Sequence, residues 1–302
     1  MTIRPPVVVV GPTASGKSDV AMAAATEVAG TEIVAVDAMQ VYRGMDIGTA
    51  KPSAADRAAV RHHGLDLVDP DHTFTVAEYR AAYAAARQAI ADRRGRALLV
   101  AGTGLYLTAV LDGLDLPGQY PDARAALEAE PDTAALHARL AALDPVGAGR
   151  IEPGNRRRIV RALEVTLGSG RPFSSFGPGI AAFPPTDATL IGIRWSRHEL
   201  GLRIDRRVDA MIDAGLLGEV DRLRTAGLSP TAAQALGYKE LLEHLHGHVT
   251  LEQAVAATKL RTRQFAVRQE RWFRRDPRIR WVDVAADPLA AVAPAVIAAL
   301  RS

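Results

Sequence analysis

Val7-Val8-Val9-Val10-Gly11-Pro12-Thr13-Ala14-Ser15-Gly16-Lys17-Ser18 sets four β-branched residues directly before a complete G-x-x-x-x-G-K-[ST] pattern. A short apolar run closed by Gly reads as a buried strand, and the Ala-rich segment from Asp19 to Ala29 reads as the helix that follows. Glycines in such a loop let successive backbone N–H groups converge on phosphate oxygens at the positive end of a helix. Lys17 adds a positive point charge, and the Ser18 hydroxyl is of the type that holds a magnesium ion. The loop therefore reads as a site for a di- or triphosphate.

Working outward, strand signals at Ile33–Val36 and Ala97–Val100 alternate with helical ones, including a helix over about 76–93. Alternation of this kind predicts an α/β fold, a parallel sheet wrapped by helices, whose ligands sit at the carboxyl ends of the strands. Gly11, Asp37 and Ala101-Gly102-Thr103-Gly104 follow three of those ends, so three turns are expected to face one cleft. From about 117 to 185 strand signals give way to short Ala/Leu/Arg helices bracketed by Gly/Pro-rich stretches, and Thr189–Ile193 then returns to the sheet. The expected organisation is a P-loop core formed by 1–117 and 186–302, with basic C-terminal helices, and a helical insertion over 118–185.

Composition narrows the class. The 302 residues are 48% apolar, enough for a real core, and the absence of cysteine excludes disulfides, thiolate metal sites and a cysteine nucleophile. Nothing near the N-terminus reads as a signal peptide and no stretch approaches 18 apolar residues, so a cytoplasmic protein without a membrane span is expected. Net charge is only +3, yet residues 259–280 carry nine basic residues against Glu270 and Asp276, leaving the rest of the chain net negative. Charge segregated in this way is the footprint of a polyanion partner. A basic surface also discourages self-association, so a monomer is expected.

Several side chains are candidates for chemistry. Asp37, directly after a strand and beside the phosphate loop, suits a general base, although a helix N-cap or a magnesium contact fits its spacing equally. Thr103 can reach a phosphate oxygen or simply make a turn. The strand before it ends in Ala101-Gly102 instead of the Asp by which P-loop hydrolases hold magnesium, which argues against motor-type ATP hydrolysis. Arg203 and Arg207 lie four apart beside the helical stripe Ile204, Val208, Met211 and Ile212; they can clamp a diphosphate or pair with Asp205 or Asp209. Arg261, Gln264, Arg268, Arg271 and Arg275 are spaced as one helical stripe, with Trp272, Phe273 and Trp281 interleaved, a pattern that favours RNA over a merely solvated face. A second patch, Arg156-Arg157-Arg158 with Arg161, falls in the insertion. His62 and His63 have no ligand partners at metal spacing and read as structural.

Taken together these motifs resemble the tRNA dimethylallyltransferase (isopentenyltransferase) family of bacterial type. The resemblance runs through the Gly11–Ser18 loop, the Asp37–Pro52 block, His62-His63 to Asp66-Leu67-Val68-Asp69-Pro70, Gly102-Thr103-Gly104-Leu105-Tyr106, 157–164, 203–220, Leu236-Gly237-Tyr238-Lys239-Glu240 and 258–272. It implies transfer of a dimethylallyl group from dimethylallyl diphosphate to N6 of an adenosine beside the tRNA anticodon, with Mg2+ present and diphosphate released. It further implies Asp37 as general base, Thr103 and Arg207 (or Arg203) as diphosphate stabilisers, and Lys17 and Ser18 on the leaving group and metal. Contacts to tRNA are implied for Asp37, Ala38, Met39, Gln40 and Thr103, for Arg124, Arg157, Arg158 and Arg161, and for Arg261, Arg268 and Arg271. Ala38 stands where the family commonly has Ser, and Ala101 where it has a second Gly. The chain also ends without the Cys/His zinc module of eukaryotic members. The alternative is a small-metabolite or nucleotide kinase, which needs the P-loop and Asp37 but neither basic patch.

Overall fold

The computed structural model describes residues 3–115, 117–177, 179, 180 and 182–302. Six strands, β1 (Val7–Val10), β2 (Thr31–Val36), β3 (His62–His63), β4 (Arg96–Ala101), β5 (Thr189–Trp195) and β6 (Ile279–Val284), form one sheet in the order β3-β2-β4-β1-β5-β6. Every pairing is parallel. Side chains alternate across the pleat: Val8, Val10, Val34, Val36 and Leu99 enter one core, while Val7, Val9, Ile33, Leu98, Ile191 and Ile193 enter the other. Both faces are covered by helices, which is why these strands read as continuous apolar runs.

Helices on the first face contribute Tyr79 and Ile90 from Val76–Asp92, Tyr238 from Tyr238–Leu245 and Phe273 from Leu251–Phe273. On the second face Lys17–Glu27 supplies Val20, Ala21 and Ala24, Arg197–Asp213 supplies Ile204 and Val208, and Pro288–Arg301 supplies Val292 and Val296. The expected helix near residue 76 starts there for a local reason. Thr75 accepts the Glu78 N–H and Glu78 accepts the Thr75 N–H, a capping box of the kind whose cap is worth about 1 kcal/mol.

Two elements depart from the sequence expectation. β3 is too short to leave an alternation pattern, and its His62 and His63 are held by the Val60 carbonyl and by Glu32. β6 replaces what reads as the tail of a basic helix. As an edge strand paired only to β5 it tolerates exposed Arg280 and Asp283, and Asp283 pairs with Arg194 of β5. Trp281 therefore belongs to the sheet, packed over Gly192, and not to the helical stripe.

The chain divides into two compact units, Met1–Leu111 with Pro185–Ser302, and Asp112–Pro184. The second has its own core of Leu127, Leu136, Leu140, Ile159 and Leu163. Among the described residues no helix is long and apolar enough to cross a membrane.

Candidate active site

Strand register brings the candidate residues together. Val36, Ala101 and Val10 lie side by side in adjacent strands, so Asp37, Gly102 and Gly11 leave the sheet at one level. The loop after β1 curls over this edge. Ala14 takes φ 61° and Gly16 φ 91°, left-handed conformations that turn successive N–H groups to one side in the manner of an anion nest. The fold of the loop is fixed from outside. Trp195 Nε1 donates to the Ser15 carbonyl at 3.0 Å, and Arg203, stacked on the Trp195 ring at 4.5 Å, donates through Nε to the Ala14 carbonyl at 2.8 Å.

Lys17 bonds the Pro12 carbonyl at 2.8 Å. Burial, with Arg207 nearby, pulls its ammonium down to about 7, only partly opposed by Asp37. Arg207 is likewise held below its ordinary value by burial, and among the described residues it makes no hydrogen bond or salt bridge. The alternative partners of the two arginines are taken elsewhere: Asp205 pairs with Arg263 and Asp209 with Lys259. Lys17, Ser18, Arg203 and Arg207 line a cavity of about 550 Å³ together with Gln40 and Lys51. Among the described residues neither Lys17 nor Arg207 is in an ion pair, although Asp37 and Asp19 attract Arg207 from farther off and Asp19 and Asp56 also line the cavity; two buried cations on one cavity suit an anion.

Asp37 divides its two oxygens. Oδ1 accepts the Met39 N–H at 2.8 Å and the Gln40 N–H at 3.3 Å, holding its own turn; a Cβ built on Gly102 would lie 3.1 Å from Oδ2, so that oxygen faces the β4 turn. No helix begins there, which removes the N-cap reading. Thr103 Oγ1 accepts the Ala38 N–H at 3.1 Å, and the Gly102 and Thr103 N–H groups both reach the Val36 carbonyl at 3.2 Å. The Asp37 and Thr103 turns are thus one unit, and the backbone contact at Ala38 is made without a hydroxyl. Gln40 Nε2 in turn donates to the Thr49 and Ala50 carbonyls.

The basic residues separate into tied and free ones. Arg261 pairs at 2.6 Å with Glu240, which is 3% exposed, whereas Arg268 and Arg271 are exposed. Arg268 lies over Phe265, and among the described residues Arg271 has no ion pair. Arg275 falls beyond the helix end at Phe273 and covers Trp272 instead of extending the stripe. In the second unit Arg156 donates to carbonyls at the end of the Pro121–Glu128 helix, Arg161 holds Glu164 at 2.6 Å and the Pro117 carbonyl, and Arg124 holds Glu128 and Glu164. Arg157 and Arg158 are exposed and, among the described residues, unpaired.

Three buried side chains near these turns carry no sequence signal of their own. Gln269 accepts the Thr13 N–H at 2.8 Å and donates to the Gly102 carbonyl at 2.7 Å. Glu219, 2% exposed, accepts the N–H groups of Asp46, Ile47 and Gly48 and the Tyr238 hydroxyl. Lys51 is buried between Asp46 and Asp66. A bare Gln, Glu or Lys belongs to no pattern until the fold supplies its partner.

A parallel P-loop sheet with Lys17, Arg203 and Arg207 on one cavity defines a phosphate-handling protein of the P-loop class. Similarity gives the family. The model of the IPP transferases matches residues 40–276 and that of isopentenyl transferases residues 6–66. The chain is 46% identical over 291 residues to the tRNA dimethylallyltransferase of Desulforudis audaxviator, covering 94% of each, and 47% identical over 297 residues to that of Kineococcus radiotolerans, covering 94% and 93%. Among solved structures it is similar to the tRNA isopentenylpyrophosphate transferase of Bacillus halodurans, with TM-score 0.71, 37% identity and coverage of 98% and 97%. A eukaryotic dimethylallyltransferase acting on tRNA superposes with TM-score 0.77 at 25% identity, over 93% of this chain and 74% of that one. The chain belongs to the IPP transferase family.

Proposed function

We propose that the protein transfers a dimethylallyl group from dimethylallyl diphosphate to N6 of an adenosine beside the anticodon of tRNA. The relatives' shared activity favours this over a kinase, and the observation that carries it is the buried pair Lys17 and Arg207 on one cavity, both within electrostatic reach of Asp37 on the Asp37–Thr103 turn. As the carbon–oxygen bond breaks, negative charge grows on the diphosphate. Preorganised cations and amide donors that are already partly stripped of solvent stabilise that charge more than they stabilise the ground state. Asp37, through Oδ2, takes the proton that N6 loses as it attacks the allylic carbon. Thr103 accepts the Ala38 N–H, which leaves its hydroxyl proton for a phosphate oxygen. Ser15 Oγ is fully buried and, among the described residues, without a hydrogen-bond partner, a further donor of the kind a phosphate oxygen requires.

Magnesium fits the residues present. Ser18 is exposed at the loop's end, and a single hydroxyl ligand suits an ion that keeps most of its waters and takes its other oxygens from the diphosphate. When bound it would neutralise charge on the leaving group. RNA is held by backbone contacts from Arg268 and Arg271 and, in the second unit, from Arg157 and Arg158. Arg124, Arg161 and Arg261 contribute through the surfaces they brace, since their guanidinium groups are engaged with Glu164 and Glu240. The adenine must leave its stack to enter the cleft, as for other enzymes that act on a base. We further infer a monomer working in the cytoplasm, where its tRNA substrate resides.

Nucleoside mass spectrometry on an unmodified anticodon stem–loop after incubation with enzyme, Mg2+ and dimethylallyl diphosphate tests the reading. A single adenosine gaining one five-carbon unit is expected; an unchanged digest would reject it.

A further inference from the structure

Gln269 sits where the diphosphate loop and the general-base turn approach each other. Its side chain is 7% exposed, and each end of the amide is used across the chain: Oε1 on the Thr13 N–H and Nε2 on the Gly102 carbonyl. Gly102 is also the residue against which Asp37 lies. A Cβ there would stand 3.1 Å from Asp37 Oδ2, a tight approach, and 3.6 Å from Gln269 Nε2, so the two polar groups meet at this one residue. The helix that carries Gln269 is seated on the same turn a second time. Trp272, three residues on, presses its indole against Gly104.

We propose that Gln269 is a positioning residue that sets the spacing between the diphosphate loop and the Asp37–Thr103 turn. This rests on the transferase reading above. The amide suits both partners, since it accepts at one end and donates at the other. By occupying the Thr13 N–H it withdraws that donor from phosphate binding and orients the following amides of the loop toward the anion. Carboxylate at the same position would keep the contact to Thr13, lose the one to Gly102, and add an anion beside the leaving group.

The test uses Gln269→Leu and Gln269→Glu, both close in volume to Gln. Calorimetry with inorganic diphosphate and Mg2+ reads the loop alone; steady-state transfer to a stem–loop, normalised by thermal melting for folded protein, reads the spacing. For Gln269→Leu the expectation is an affinity for inorganic diphosphate about tenfold weaker and a kcat about tenfold or more lower, with the KM for RNA unchanged. For Gln269→Glu the ratio of its kcat/KM to that of the parent climbs as pH falls toward the carboxyl range, because the protonated acid regains a donor for Gly102. A merely structural residue would lower the melting temperature and leave the RNA-saturated kcat, the diphosphate affinity and the pH ratio at parental values; that pattern overturns the proposal. Should the Leu variant not fold, the Glu variant carries the same two readouts. Diphosphate binding judges Gln269 even if the parent fails to modify RNA, a failure that would fall on the transferase reading.

Discussion

Thr103 Oγ1 accepts the Ala38 N–H at 3.1 Å, so the turn after β4 and the turn after β2 move as one piece. The carboxylate of Asp37 is carried on that piece, aimed by its own Oδ1 contacts to Met39 and Gln40. Position and proton acceptance can therefore be separated by mutation.

Asp37→Asn keeps an oxygen for the Met39 and Gln40 N–H groups but cannot take a proton. Turnover is expected to fall by about 10²–10⁴-fold with the KM for dimethylallyl diphosphate and the melting temperature close to parental, as read by single-turnover transfer and calorimetry. A variant with near-full turnover would remove the general-base role.

Lys17 predicts a pH signature. Its folded value of about 7 lies below the ordinary 10.5, so between those values the unfolded chain holds a proton that the folded chain has lost, and this group alone makes stability rise with pH across that window. Bound diphosphate favours the charged form. Binding near pH 8 should consequently take up a proton at Lys17, measured as a dependence of calorimetric heat on buffer ionisation enthalpy that is reduced in Lys17→Met.

Arg207 offers a test that sets stability against binding. A guanidinium that is desolvated and unpaired costs the free protein, so Arg207→Met is expected to melt at or above the parental temperature while losing diphosphate affinity by about tenfold or more. Scanning calorimetry and diphosphate titration together check it; a variant that is both less stable and fully able to bind would contradict the assignment.

The basic helix should behave unevenly. Replacing Arg268 or Arg271 with Ala is expected to lower the salt dependence of RNA binding by about one unit of slope each, with little change in melting temperature. Arg261→Ala leaves buried Glu240 without its partner, and its main effect is expected on stability. Fluorescence titrations across a salt series separate the two classes.

Glu219 anchors the block that includes Gln40. Glu219→Ala strands three N–H groups and the Tyr238 hydroxyl, and a loss of about 2–4 kcal/mol is expected in urea unfolding.

The three strand ends that build the cleft were legible because parallel strands buried on both faces leave plain apolar runs, each closed by Gly or Asp. The phosphate loop and Asp37 follow from that alone. β6 was not legible: an edge strand with Arg280 and Asp283 facing solvent looks, along the chain, like more of the basic helix before it. The choice between diphosphate clamp and surface ion pair for Arg203 and Arg207 also needed the fold, because Asp205 and Asp209 turn toward Arg263 and Lys259 on the neighbouring helix. Gln269, and Glu219 in its three amide contacts, act on backbone groups brought near from 167 or more residues away, and backbone groups leave no mark in a sequence.

On the proposed function this P-loop holds a departing diphosphate rather than an NTP to be hydrolysed. The most direct measurement incubates the enzyme with Mg2+, an unmodified anticodon stem–loop and dimethylallyl diphosphate labelled in the prenyl group, and follows label in the RNA and free diphosphate in parallel, beside a matched reaction supplied with ATP. Label on adenosine N6 in step with diphosphate release, and negligible ATP turnover, is the predicted result. Unlabelled RNA together with phosphate passing from ATP to water or a small acceptor would contradict it.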